Sequence, residues 1–132
     1  MKKIIAILVA LSLFTILTAA SCGGSGGGAG TGDSGVPGVH MGAVNFVQPS
    51  ITINKGSSLN LIDDVAVLHL ISNGSWVNGV AQPATEPGAP TVSNMQFNAA
   101  GQSMTVGPFN TAGTYHLYCS VHQNMNLTVI VK

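Results

Sequence analysis

The chain has 132 residues, of which 45% are hydrophobic and only 6% are charged, and its formal net charge is zero. This composition excludes nucleic-acid binding, because that class of function needs a basic stripe and the chain has only four lysines and arginines in all. So small a charge also makes long-range electrostatic steering of a partner weak.

The N-terminus has the layout of an export signal. Lys2 and Lys3 precede an apolar run over residues 4–17, and small residues over 18–21 lead to Cys22. The pattern predicts a signal peptide over residues 1–21, since the apolar run is shorter than the about 20 residues that a stable membrane span needs. It resembles the signal of a bacterial lipoprotein. That resemblance implies that Cys22 is lipidated and that the protein is extracytoplasmic, anchored to a bacterial membrane in the periplasm or at the cell surface.

Residues 22–35 form a second region, in which glycine, serine, alanine and threonine follow Cys22 almost without interruption. Side chains this small cannot bury enough apolar surface to offset the entropy of ordering the chain, so a flexible tether is predicted. Such a segment has a root-mean-square span of roughly 20 Å. Without residues 1–21, two lysines stand against three aspartates and one glutamate, a net charge of −2 with neutral histidines.

Residues 36–132 are predicted to form one all-β domain, a two-sheet antiparallel sandwich with Greek-key connections. Short segments with strand character are separated by turn-forming residues. They are residues 43–47, 50–53, 58–62, 65–72, 91–98, 102–106, 113–119 and 126–131. The stretch 73–90 around Trp76, rich in glycine and proline, is expected to be irregular with at most one turn of helix. Trp76 is expected to cover one end of the core.

Alternation along two strands predicts which side chains face the core. In the last strand Leu127, Val129 and Val131 share one face. In the strand before it, Tyr115 and Leu117 share the parity of Cys119 and are expected to face inward, which leaves His116 and Tyr118 facing outward.

The residues from Cys119 to Met125 read C-S-V-H-Q-N-M, which places a thiolate, an imidazole and a thioether three residues apart. Two imidazoles and one thiolate with a distant thioether are the ligands of blue-copper electron-transfer sites. The second imidazole must come from elsewhere, and His69, within the apolar run 65–70, is the best candidate. Two alternatives remain: Met125 could be a core residue instead of an axial ligand, and Cys119 could form a disulfide with Cys22.

Other histidines and methionines have simpler interpretations. His40 and Met41 are expected to be an exposed pair near the start of the domain, since no further metal ligand is close in sequence. Met95 and Met104 are expected to be packing residues.

The run from Gly113 to Gln123, followed closely by Met125, resembles the copper-binding hairpin of the plastocyanin-like cupredoxins. The two-residue spacing between histidine and methionine is similar to that of amicyanin. The resemblance implies a cupredoxin-like Greek-key sandwich that holds one type 1 copper ion, with four ligands. They are His69, Cys119, His122 and Met125. The sequence departs from plastocyanins at Leu70, where they usually have asparagine; the main-chain amide of Leu70 can still donate to the thiolate, but the side-chain brace of asparagine is missing.

The leading functional hypothesis is a monomeric electron carrier, not an enzyme, that shuttles single electrons between larger redox proteins. It would dock through an apolar patch around the exposed edge of His122. A rival hypothesis is a copper delivery or storage protein that hands copper to an oxidase, with His40 and Met41 as its supporting feature. A small copper enzyme is a third possibility, and it would need an open coordination position for its substrate.

Overall fold

The computed structural model describes residues 35–132, in which nine β-strands and no helix are found. The strands are β1 (Gly38–Met41), β2 (Ser50–Ile53), β3 (Leu59–Asp63), β4 (His69–Val77), β5 (Val80–Pro83), β6 (Met95–Phe97), β7 (Ser103–Val106), β8 (Gly113–Cys119) and β9 (Asn126–Val131). Accordingly, the described range contains no helix that could cross a membrane. The signal peptide predicted over 1–21, the lipidation of Cys22 and nearly all of the tether predicted over 22–35 lie outside the described residues.

The strands form two sheets, as predicted. The smaller sheet has the order β1-β3-β7, and the larger has the order β2-β9-β8-β4-β5 with β6 also paired to β4. The expectation of a wholly antiparallel sandwich was wrong, because β1 pairs with β3 and β2 pairs with β9 in parallel. Parallel neighbours need a long connection, and the chain supplies it by changing sheets between the paired strands.

A continuous core lies between the sheets. In β9, Leu127, Val129 and Val131 are buried as their alternation predicts, and in β8 the same holds for Tyr115 and Leu117. The remaining core residues come from both sheets and their connections. They are Val39, Met41, Phe46, Ile53, Leu59, Leu61, Ile71, Val92, Phe97, Val106, Phe109, Cys119 and Met125. Met95 and Met104 pack against this cluster, which confirms their predicted role.

Two orientations differ from those expected. Tyr118 is buried, not exposed, and its ring packs in a T-shaped arrangement with that of Trp76, with centroids 6.2 Å apart. Met41 is fully buried in the core because it shares the inward face of β1 with Val39, so it does not form an exposed pair with His40. His116 does face outward, as predicted, and its side chain is 40% exposed.

The first predicted strand, residues 43–47, was wrong. These residues turn back on β1: the amide of Gly42 donates to the carbonyl of Asn45, and the amide of Val47 donates to the carbonyl of His40. Only Phe46 keeps a bridge, to Met41. The preceding residues 38–41 form the strand because β3 offers them a partner, which the local pattern did not reveal.

The predicted strand 65–72 is displaced toward the C-terminus. Residues 65–68 form a bend in which the amide of Val67 donates to the carbonyl of Val65, and β4 then runs from 69 to 77. Trp76 therefore lies in a strand and not in an irregular segment. The cause is the two-residue turn at Asn78 and Gly79, whose φ angles of 51° and 75° suit a type I′ hairpin joining β4 to β5.

Replacing Gly74 with alanine is expected to destabilise the fold severely. Gly74 has φ of 125°, and a Cβ there would overlap the carbonyl oxygen of Gln82 and lie 2.8 Å from Cα of Pro83. Gly101→Ala is the matched control, since φ there is 82° but no atom lies within 4 Å of a Cβ. The control should lose about 1–2 kcal/mol of unfolding free energy, and Gly74→Ala about 1–3 kcal/mol more. Urea unfolding measures both, and equal losses would contradict the packing at Gly74.

Candidate metal centre

The end of β8 and the loop that follows it present three of the four predicted ligands. Cys119 is the last residue of β8, and the loop 120–125 returns to β9. The amide of Met125 donates to the carbonyl of His122 at 3.2 Å, and the amide of Cys119 donates to the carbonyl of Met125 at 3.0 Å. Asn124 closes the turn with φ of 64°, a left-handed conformation that asparagine tolerates better than most residues. These bonds join the two ends of the loop and tie Met125 to both Cys119 and His122.

His69 reaches this loop from β4. It is the first residue of that strand, and Ile71, two residues later, pairs with Cys119 across the β4–β8 ladder. The Sγ atom of Cys119 is 3.8 Å from Nδ1 of His69 and 3.5 Å from Nδ1 of His122. The ligand atoms of all three side chains lie within 4.8 Å of one another. The structure thus brings together the predicted thiolate and both imidazoles.

The two sulfur–nitrogen distances fit a single metal ion. At the roughly 2.0–2.3 Å bond lengths that nitrogen and sulfur make to zinc, a comparable first-row ion, donors at trigonal angles around one ion stand about 3.5–3.8 Å apart. His69 and Cys119 are 0% exposed, whereas His122 is partly exposed. A metal held here would lie below the surface, and His122 is the ligand whose ring reaches toward solvent.

Met125 is placed by the same loop. Its main chain bonds to both Cys119 and His122, and its side chain is 1% exposed, within the core cluster. The residue is therefore at the ligand end of the domain and shielded from water. Its thioether as the axial ligand stays a prediction.

The ligand loop is braced by residues that the sequence did not indicate. The amide of Ser120 donates to the carbonyl of Leu70 at 2.9 Å, so Leu70 supports the loop through its main chain. Nε1 of Trp76 donates to the carbonyl of Cys119 at 2.8 Å, and Nε2 of Gln123 donates to the carbonyl of Gly79 at 3.0 Å. The sequence feature that could have predicted the β4–β5 hairpin is the Asn-Gly pair between Val77 and Val80.

The environment of His69 favours a neutral ring. Burial lowers the pKa of His69, and the positive form of His122 would lower it further. The charge of Asp63 and the main chain of Gly42 act in the opposite direction but do not overcome burial. A histidine must be deprotonated at the coordinating nitrogen to bind a metal, so burial keeps His69 ready as a ligand.

The two other histidines of the described range lie outside this cluster. Nδ1 of His40 is 2.7 Å from a carboxylate oxygen of Asp64, and Nδ1 of His116 is 2.6 Å from one of Glu86. Each of these four side chains is partly exposed. His40 is thus paired with a carboxylate and not with Met41.

A family model described as copper-binding proteins of the plastocyanin/azurin family matches residues 35–132. The chain belongs to this family. Its cofactor is accordingly copper, and the donor set of two imidazoles and a thiolate suits one type 1 ion. No curated protein sequence matches the chain significantly.

Solved structures of amicyanin share the cupredoxin fold of this chain. Amicyanin from Paracoccus versutus has 19% sequence identity and a TM-score of 0.58, and the match covers 77% of this chain and 86% of that one. A reduced Cu(I) form of an amicyanin variant at pH 4 has 20% identity and a TM-score of 0.57, covering 77% and 87%. An oxidised amicyanin variant has 22% identity and a TM-score of 0.56, covering 79% and 89%. At these identities the likeness shows the fold, which confirms the predicted sandwich.

Proposed function

We propose that this protein is a type 1 copper electron-transfer protein that shuttles single electrons between extracytoplasmic redox partners. The observation that carries the proposal is the convergence of Cys119 Sγ with Nδ1 of His69 and of His122. His69, Cys119, His122 and Met125 would hold a copper ion there, and bound copper would accept and release single electrons.

The protein's own contribution is a frame that changes little between redox states. Cys119 and His69 are fixed by neighbouring strands, and His122 and Met125 by the bonded loop. The side chains of His69, Cys119 and Met125 exclude water because they are buried. A rigid, dry ligand frame limits rearrangement on electron transfer and lets hydrogen bonds near the sulfur tune the potential.

The same burial supports a carrier over an enzyme. A substrate would need an open coordination position, yet three of the four proposed ligands are closed to solvent. The delivery hypothesis also loses its supporting feature, since Met41 faces the core while His40 faces Asp64 on the opposite side of β1. We therefore do not propose copper delivery.

We further propose that redox partners dock on an apolar patch made of Leu68, Val121 and the exposed edge of His122. Leu68 and Val121 are each 45% exposed and each directly precedes a ligand histidine. Exposed large apolar side chains beside a site mark interaction surfaces. Because the chain carries little charge, association through this patch should depend weakly on ionic strength.

The test of the copper site is the absorption spectrum of the copper-loaded protein. An intense thiolate-to-copper band in the visible range is expected, because a His₂Cys site places the sulfur directly on the metal. Cys119→Ser should abolish the band and keep the wild-type circular dichroism, since serine has a similar volume. A colourless wild-type protein after copper loading would refute the proposal.

The test of the patch is the rate of electron self-exchange between Cu(I) and Cu(II) copies, followed by NMR line broadening. Val121→Asp places like charges opposite each other when two patches meet, so the rate should fall at least about tenfold. The control is Thr52→Asp, which adds the same charge at an exposed position of β2. Thr52 pairs with Ile130, which lies at the end of β9 that is distant from the ligand loop. Equal effects of the two variants would place the contact elsewhere.

The location of the protein is part of the proposal. The signal over residues 1–21 and the small residues before Cys22 support a lipid anchor followed by a tether. Labelled fatty acid supplied to expressing bacteria should enter the wild-type protein and not the Cys22→Ala variant. Recovery of unlabelled wild-type protein in the soluble fraction would contradict the anchor.

A further inference from the structure

Among residues 35–132 one carboxylate is fully buried in the core, that of Asp63 at the end of β3. Asp63 shares the inward face of that strand with Leu59 and Leu61 and is fully buried. Its Oδ1 accepts a long bond of 3.3 Å from the amide of Val65, and its Oδ2 is buried with no hydrogen-bond partner. Burying a carboxylate is costly unless it is paired, so its position requires a partner.

That partner is Nε2 of His69, the ring nitrogen that points away from Cys119. Oδ1 of Asp63 is 3.8 Å from Nε2 of His69, both side chains are fully buried, and Nε2 has no hydrogen-bond partner. The opposite ring nitrogen, Nδ1, faces Sγ of Cys119. When Nδ1 donates its lone pair to a metal, the neutral ring carries its proton on Nε2, where an acceptor is needed.

We propose that Asp63 is a positioning residue for His69: its buried carboxylate lies 3.8 Å behind Nε2, favours the tautomer that carries its proton on that nitrogen and presents Nδ1 to the metal, and places a negative charge behind the ligand. That charge favours the oxidised, more positive state of the site and therefore lowers its reduction potential. The inference rests on the proposed electron-transfer function and deepens it, because it names a residue that sets the potential.

The neighbouring groups single out Asp63. Asp64, the next residue, faces outward to His40 and is 44% exposed, so water screens its charge. The main chain of Gly42 also acts on the His69 ring, but it carries no net charge. Among the described residues that approach Nε2, Asp63 is thus the one that brings a full, unscreened charge.

The first experiment compares the midpoint potentials of copper-loaded Asp63→Asn and Asp64→Asn. Both variants remove one negative charge from adjacent residues, and asparagine at 63 keeps the size and an acceptor oxygen. Asp63→Asn should keep the visible band and raise the potential by about 59 mV, a tenfold change in the ratio of oxidised to reduced protein. Asp64→Asn should shift it far less. Equal shifts, or no shift in Asp63→Asn, would overturn the role of Asp63 and leave the electron-transfer proposal intact.

The second experiment uses the metal-free wild-type protein, so it requires neither copper nor a substituted chain. Ring ¹⁵N shifts in the metal-free wild-type protein should show His69 as the Nε2–H tautomer, with that proton protected from exchange. A dominant Nδ1–H tautomer would overturn the inference. Because this measurement is independent of colour and redox activity, it remains decisive even if the copper proposal itself fails.

Discussion

The pairing of β4 with β8 is the interaction on which the site depends. Ile71 lies opposite Cys119, which places His69 against a cysteine fifty residues later in the chain. A shift of this ladder by one residue would turn Cys119 and the inward residues of β8 to the opposite face. The same register buries Tyr115 and Leu117, so the packing energy of the core and the convergence of the ligands support each other.

Around this ladder, main-chain hydrogen bonds do most of the positioning. The loop 119–125 closes on itself, Ser120 is tied to Leu70, and Trp76 is tied to the carbonyl of Cys119. The side chain of Asn126 makes two hydrogen bonds to the main chain of Trp76: it accepts from the amide and donates to the carbonyl. Leu70 takes part through its main-chain carbonyl, so this contact does not depend on its side chain.

Burial links this frame to electrostatics. The interior excludes water from His69 and Cys119, which keeps His69 neutral and makes any nearby charge effective. Asp63 is the one fully buried carboxylate of the described residues, whereas Asp64 and Glu86 pair with partly exposed histidines. The low charge of the chain supports the proposed apolar docking surface beside His122.

The sequence by itself determined the class of fold and the chemistry of the site. Alternation in β8 and β9 identified the buried faces, and the close spacing of Cys119, His122 and Met125 identified a copper-binding loop, because both are local properties. Only the tertiary structure decided the rest. It placed β1 at 38–41 rather than 43–47, continued β4 through Trp76, and set Asp63 behind His69. Each of these depends on a partner distant in the chain, and a strand or a buried charge is stable only where folding brings that partner within hydrogen-bonding or ion-pairing reach.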